Sequence, residues 1–214
     1  MPAYRSEAEA EIRGPVVERL RQIIPGCRII HEVNAASFGN RIDVMAVGTE
    51  SIATVEIKSA KDKLKRMPDQ VAAMRSVSNL VYVAIHERFL DVNEKFGWVS
   101  PPKEARGAVT WVWPIADRGS NDDCNAFWLP RHRWEKPMTA LPPGAIGLLW
   151  RKELQDIAAS IGAKGVSSMN MDVAQDYILW RMTGQELARA ICGKLRERAC
   201  VEADDPIRQP TSAT

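Results

Sequence analysis

Three charged residues on two neighbouring strands could together bind a metal ion and hydrolyse a phosphodiester. Asp43 lies in a run typical of a β-strand, and Glu56 and Lys58 lie in the next such run. Because side chains alternate between the two faces of a strand, Glu56 and Lys58 share one face. If the two strands pair as a hairpin around residues 48–51, Asp43 can lie beside that pair. Two carboxylates and an ammonium group on one sheet face are typical of a metal-dependent phosphodiesterase.

The same residues predict a site for Mg²⁺ or Mn²⁺. Mg²⁺ takes oxygen ligands and usually needs only one or two carboxylates besides water and substrate phosphate. Asp43, Glu56 and the main-chain carbonyl of Ile57 could supply these oxygens. Lys58 could help to activate the attacking water or stabilise charge on the phosphate. The alternative is that Glu56 and Lys58 form an exposed cross-strand ion pair that contributes little.

The elements around these residues predict an α/β protein. Apolar residues at helical spacing predict a first helix over residues 6–24, in which Ser6 and Glu9 fit a capping box. Strands are predicted over residues 28–33, 41–47, 52–59 and 80–85. A second helix is predicted from about Asp62 to Val77. Pro68 lies inside that helix and either kinks it or marks a restart, because proline removes a helical hydrogen bond.

The second half of the chain has a different composition. Tryptophan and proline are frequent from about residue 97 to 143, where one strand is predicted over residues 108–115 and a basic, aromatic cluster lies at 131–134. Helical patterns follow, and the polar end is predicted to be disordered. We therefore divide the chain into a core (1–100), a tryptophan- and proline-rich β extension (101–143), a helical subdomain (144–200) and a disordered tail (201–214).

The helical subdomain contains apolar and basic residues of interest. Four apolar residues are predicted to be core: Trp150, Leu154, Trp180 and Leu187. Five basic residues are candidates for phosphate contacts: Lys152, Arg181, Arg189, Lys194 and Arg196.

The order of residues and elements resembles the PD-(D/E)XK nuclease superfamily. The resemblance rests on Asp43 followed by Glu56-Ile57-Lys58, after a helix that carries an acid and before a helix and a strand. It covers about residues 6–86, and Ile42 stands where the family usually has proline. It implies a restriction-endonuclease-like core, which is a mixed sheet flanked by helices. The C-terminal helices resemble the extension of poorly characterised bacterial and phage members.

The resemblance also implies residues outside the two strands. Many members carry a glutamate on the first helix that reaches the metal, and Glu9 falls on the same face as Ile12 and Val16. Its capping role is the alternative. Several nuclease families place an arginine or glutamine on the helix after the lysine, facing the site. This implies Arg66 and Gln70, unless that helix surface carries only ordinary ion pairs.

Charge and composition limit the expected partners. Lys61, Lys63 and Lys65 form a basic rim that would favour a DNA backbone, unless they are only solvated charges. A net charge of +2 does not by itself indicate a nucleic-acid binder. No apolar run is long enough to span a bilayer, and the polar N-terminus does not resemble a signal peptide. The four cysteines lack paired spacing and are read as reduced thiols. We therefore expect a cytoplasmic protein without a membrane partner.

These observations predict a Mg²⁺- or Mn²⁺-dependent deoxyribonuclease. DNA is the expected partner, and a homodimer and a protein partner at the C-terminal region are further expectations. The alternative is a non-catalytic DNA-binding accessory factor in repair or defence with a nuclease-like fold. A third hypothesis is a scaffold that docks a protein through the tryptophan-rich region. The sequence leaves open the form of the DNA and whether cleavage is endo- or exonucleolytic.

Overall fold

The chain forms a five-stranded mixed sheet with helices on both faces. A computed structural model describes residues 6–35, 39–95, 99–114 and 140–208. Across the sheet the strands are β1 (Arg28–Asn34), β2 (Arg41–Val47), β3 (Ile52–Lys58), β4 (Leu80–His86) and β7 (Val109–Trp113). The first three are antiparallel, and β4 and β7 run parallel to β3. The protein is therefore a mixed α/β structure, as predicted. A separate two-stranded ribbon consists of β5 (Asp91–Val92) and β6 (Val99–Ser100).

Helix α1 (Glu7–Ile23) covers one face of the sheet. Its buried stripe of Ile12, Val16 and Leu20 packs against apolar side chains of β2 and β3, as the helical spacing predicted. The Ser6 hydroxyl accepts a hydrogen bond from Glu9 N at 3.2 Å and so caps the helix. The Glu9 carboxylate pairs with Arg13, one turn further along. In the described structure, only the Ser6 half of the predicted capping box is formed.

Helix α2 (Met67–Val77) lies on the opposite face and begins later than predicted. The predicted start near Asp62 is wrong because Asp62 belongs to a turn. Its carboxylate accepts hydrogen bonds from Ser59 N at 2.8 Å and Ser59 Oγ at 2.7 Å. Pro68 stands in the first turn of α2, where a missing N–H breaks no helical hydrogen bond. It therefore marks the start of the helix and does not kink it.

The strand predicted for the β extension belongs to the central sheet. It is found as β7 and pairs in parallel with β4, with Tyr82 opposite Val109 and His86 opposite Trp113. Stacked rings of Tyr82 and Trp111, 4.4 Å apart, pack where the two strands meet. The basic, aromatic cluster at 131–134 lies outside the described residues.

Three helices and two 3₁₀ segments (Pro143–Leu148 and Val166–Ser168) form the described C-terminal part, which packs on the α2 side of the sheet. The helices are α3 (Arg151–Ser160), α4 (Met171–Leu179) and α5 (Gly184–Glu197). Leu154 and Leu187 are buried there as predicted, but Trp150 and Trp180 are 58% and 86% exposed. The prediction that both tryptophans are core residues is therefore wrong. Each stands at a helix end, beyond the stripe that the helix buries.

The first part of the predicted tail is ordered against the edge of β1. Ala203 forms a β-bridge with Ile30, and His31 N donates to the carbonyl of Glu202 at 2.8 Å. Residues 201–208 are therefore not the disordered tail that their polar composition predicted, since backbone pairing holds them. Residues 209–214 lie outside the described structure. None of the described helices is long and apolar enough to cross a membrane.

Candidate active site

The residues predicted for the site line one cavity of about 600 Å³. They are Glu9, Asp43, Glu56, Ile57, Lys58, Lys61, Lys63, Arg66 and Gln70. The cavity lies where β2 and β3 separate, since their paired register ends at Val44 and Val55. Asp43 and Glu56 are the next residues beyond that point. The alternation of side chains along β3 also holds, because Val55 and Ile57 pack towards α1 while Glu56 meets a residue of α2.

Asp43 bridges the gap between the separating strands. Its Oδ2 accepts a hydrogen bond from Ile57 N at 2.8 Å, which replaces a ladder bond of the sheet. The side chain is buried, and burial raises the pKa of this carboxyl. The Ile57 N–H and the nearby charge of Lys58 act against that shift because both favour the carboxylate.

Glu56 is the most deeply buried acid of the site, at 2% exposure. Its Oε1 accepts hydrogen bonds from Lys58 Nζ at 2.5 Å and from the Gln70 amide. Burial and, second, the charge of Asp43 raise the pKa of Glu56 to about 8. The charge of Asp43 therefore disfavours ionisation of Glu56, as expected for acids that share a site for a cation.

Two buried oxygen atoms at this point have no hydrogen-bond partner within the described structure. They are Glu56 Oε2 and Gln70 Oε1. A buried oxygen without a partner is costly, and oxygens are the ligands that Mg²⁺ and Mn²⁺ prefer. The residues present therefore fit a hard divalent cation. The described residues contain no group of three or more His, Cys, Asp or Glu side chains placed to hold a metal ion. The two carboxylates of Asp43 and Glu56 are nevertheless sufficient, because Mg²⁺ usually takes only one or two carboxylates from a protein.

Glu9 reaches the cavity, but an arginine already binds it. Glu7, Glu11 and Glu18, the other acids of α1, are exposed, whereas Glu9 is half-buried. The guanidinium of Arg13, itself almost fully buried, pairs with the Glu9 carboxylate. The structure thus brings Glu9 to the site as a partner of Arg13.

Arg13 is a central residue of this site that sequence reasoning missed. Its Nη1 donates to the main-chain carbonyl of Asp43 at 2.8 Å and lies 3.0 Å from His31 Nδ1. Its Nη2 donates to Glu32 Oε1 at 3.0 Å as well as to Glu9. The spacing of Glu9 and Arg13, four residues apart on a helix, was the available signal.

Glu32 is a second residue that the sequence did not reveal. It lies opposite Asp43, between the pairs His31–Val44 and Val33–Ile42, and has a left-handed backbone with φ of 57°. A non-glycine residue in this conformation costs about 1–3 kcal/mol. Its carboxylate joins Arg13 to Arg41, whose Nε lies 2.6 Å from Glu32 Oε2. Arg41 itself lines the cavity.

The basic residues predicted to contact DNA stand at the mouth of the cavity. Lys61, Lys63 and Arg66 are exposed, whereas Gln70 is buried against Glu56. Arg66 directly precedes α2, so the prediction that Arg66 and Gln70 both lie within this helix is wrong for Arg66. The three cations nevertheless line the same opening, because all three lie in the segment between β3 and α2. Lys65 lies in that segment and is exposed, but it does not line the cavity.

Comparison with known families gives a match over the first part of the chain. Residues 3–95 are similar to the family described as bacteriophage P4 protein cII. This segment runs from α1 through β5 and contains every residue of the candidate site. No curated protein and no solved structure matches the chain. The description of the matching family names no activity, so the function must be argued from the site itself.

Proposed function

We propose that this protein is a metal-dependent nuclease of the PD-(D/E)XK type that hydrolyses DNA phosphodiester bonds. The observation that carries the proposal is the pair of buried carboxyls, Asp43 and Glu56, beside Lys58 where two strands separate. The unpartnered Glu56 Oε2 supports it, since a cation at that atom would offset the cost of its burial. The element order also supports it: one helix, three antiparallel strands, a helix and a parallel strand.

Each residue of the cavity has a role in this proposal. Asp43, Glu56 and the Ile57 carbonyl would hold Mg²⁺ or Mn²⁺, and Glu9 would support them. When bound, the ion would neutralise phosphate charge and acidify a water molecule. Lys58 places an ammonium group against the same cavity, where it can orient the water or stabilise developing negative charge.

The rim completes the proposed substrate site. Lys61, Lys63 and Arg66 are exposed cations around an opening that contains two acids, so a phosphate backbone can approach without facing only negative charge. Arg41 adds a fourth cation on the β2 side.

One observation favours the alternative of a DNA-binding accessory factor without turnover. Lys58 and Gln70 already bind Glu56 Oε1, and Arg13 already binds Glu9. Such pairs could serve the stability of the fold alone. The two candidates differ in one property, because only the nuclease requires a divalent cation for its action.

The test is cleavage of linear duplex, circular plasmid and single-stranded DNA with Mg²⁺, Mn²⁺ or a chelator. We expect metal-dependent cutting that falls by at least about 100-fold in Asp43→Asn and in Lys58→Ala, with thermal unfolding still cooperative. Lys164→Ala is the matched control, because Lys164 is exposed in the loop after α3 and does not line the cavity. Undiminished cutting in both site variants would refute the nuclease proposal. DNA binding without cutting by the parent protein would favour the accessory factor.

A further inference from the structure

A second cavity, of about 820 Å³, adjoins the candidate active site. It is lined by residues 30–35 of β1 and its end, by residues 147–150, and by residues 198–202. Arg41 lines both this cavity and the candidate active site, so the two meet at its side chain. We call the second cavity the Trp150 groove, after the largest exposed side chain in its wall.

The indole of Trp150 is largely exposed, and one of its faces packs against Arg198. The main-chain N of Trp150 donates to Glu153 Oε2 at 2.7 Å. The guanidinium of Arg198 stacks on the ring at 4.3 Å from its centroid. Arg198 is itself buried, and it donates to Glu153 Oε1 and to the carbonyl of Leu148, both at 2.8 Å. A large apolar ring is thus packed on one side and left 58% exposed at the groove.

An exposed aromatic ring beside cationic side chains is suited to bind an unpaired nucleobase. Bases stack on aromatic side chains without sequence preference, because every base presents a flat π-face. In a duplex these faces are stacked on neighbouring base pairs and cannot reach a protein ring. The groove carries Arg41, which is half-exposed and can meet a phosphate. Two acids line the groove: Glu32 is already paired with Arg41 and Arg13, and Glu202 is half-buried.

We propose that Trp150 stacks an unpaired base of the DNA substrate, and that the backbone of the same strand passes Arg41 into the candidate active site. The substrate class is therefore DNA with a single-stranded segment next to the bond that is cut. This inference rests on the proposed nuclease function, but it concerns a different set of side chains.

The test uses fluorescence anisotropy of a labelled short oligothymidylate and of a duplex of the same length. All proteins carry Asp43→Asn, so that the DNA is not cut during the measurement. We expect Trp150→Ala to weaken binding of the single strand roughly 5- to 150-fold, the range given by loss of one base stack. Trp150→Phe should retain most of the binding, and duplex affinity should be unchanged. Trp180→Ala is the matched control, since Trp180 is 86% exposed but lies outside the groove.

The outcomes separate this inference from the nuclease proposal. Equal single-strand affinity of Trp150→Ala and its parent would overturn the stacking site, even if the wild-type protein cuts DNA. The stacking site would also be overturned if Trp150→Phe or Trp180→Ala weakened single-strand binding as much as Trp150→Ala does. The effect would then not depend on an aromatic ring in the groove. A selective loss in Trp150→Ala would support the stacking site, even if no DNA is cut by the wild-type protein with any metal.

Discussion

At the scale of single residues, the candidate site is governed by acids that are buried before any cation binds. Glu56 has one oxygen bound by Lys58 and Gln70 and one without a partner among the described atoms. Asp43 adds its own charge, and burial raises the pKa of both carboxyls. Protons and a divalent cation therefore compete for the same oxygen atoms.

This competition predicts how stability depends on pH. The pKa of Glu56 is about 8 in the folded state against 4.5 for the free group, so the folded state binds more protons between these values. The contribution of Glu56 to the free energy of unfolding should therefore be fully present below about pH 4.5 and lost as pH rises through about 8. Urea unfolding of the metal-free protein across this range measures the loss. His31 titrates with the opposite sign, since burial lowers its pKa, and an isosteric control is therefore needed.

Glu56→Gln is that control because an amide cannot lose the proton. We expect the stability of Glu56→Gln to decline less with rising pH than that of the parent protein. The Mn²⁺ affinity of the parent should increase towards higher pH, whereas that of Glu56→Gln should not. Parallel stability curves for the two proteins would contradict the assignment of a raised pKa to Glu56.

Sequence reasoning found the chemical groups of the site but not the residues that hold them. Asp43, Glu56 and Lys58 were accessible because strand alternation places them on a common face. Arg13 and Glu32 were not, because their roles depend on long-range geometry. Arg13 follows Ile12 on a helix whose apolar stripe is the stronger signal, and the left-handed backbone of Glu32 has no signature in a glutamate.

At the scale of elements, the five strands of the central sheet were predicted to within two residues at each end, because apolar runs bounded by turn residues are local signals. The two-residue strands β5 and β6 were not predicted. The start of α2 was predicted too early, because Asp62 and Arg66 also fit the helical spacing. The hydrogen bonds from Ser59 to Asp62 hold residues 59–62 in a turn, and the helix begins only at Met67, with Pro68 in its first turn. Composition likewise could not reveal that residues 202–204 pair with β1.

The contact between α2 and the 3₁₀ segment Pro143–Leu148 depends on the absence of a side chain at Gly144. A Cβ there would meet the main-chain oxygen of Ser76 well inside van der Waals contact, and backbone atoms cannot swing away. We expect Gly144→Ala to reduce the free energy of unfolding by about 1–3 kcal/mol in urea titration. The matched control is Gly184→Ala in the first turn of α5, whose Cβ would lie 3.7 Å from that of Ala140. This control should be neutral or stabilise by up to about 1 kcal/mol, and equal losses in both variants would contradict the argument.

At the scale of the whole molecule, the C-terminal helices and the central sheet share one hydrophobic cluster. Ile191 and Leu195 of α5 are buried in the same cluster as Met45 and Ile52 of the sheet. Arg28 adds a polar connection, because its fully buried guanidinium donates to the carbonyls of Leu195, Arg196 and Asp204. Because the C-terminal helices share a cluster with the sheet, we expect the two parts to unfold together.

Arg28→Met tests whether the helices depend on this connection to the sheet. The variant leaves carbonyl oxygens of α5 and of residue 204 without their donor, so we expect a loss of about 2–4 kcal/mol in one unfolding transition. Arg21→Met is the matched control, because Arg21 also binds Asp204 but is exposed, and its loss should cost less than about 1 kcal/mol. Far-ultraviolet circular dichroism and tryptophan fluorescence should give the same midpoint. If the helical signal were lost first in Arg28→Met, residues 144–200 would form a separate cooperative unit, and the shared cluster would not bind the two parts into one.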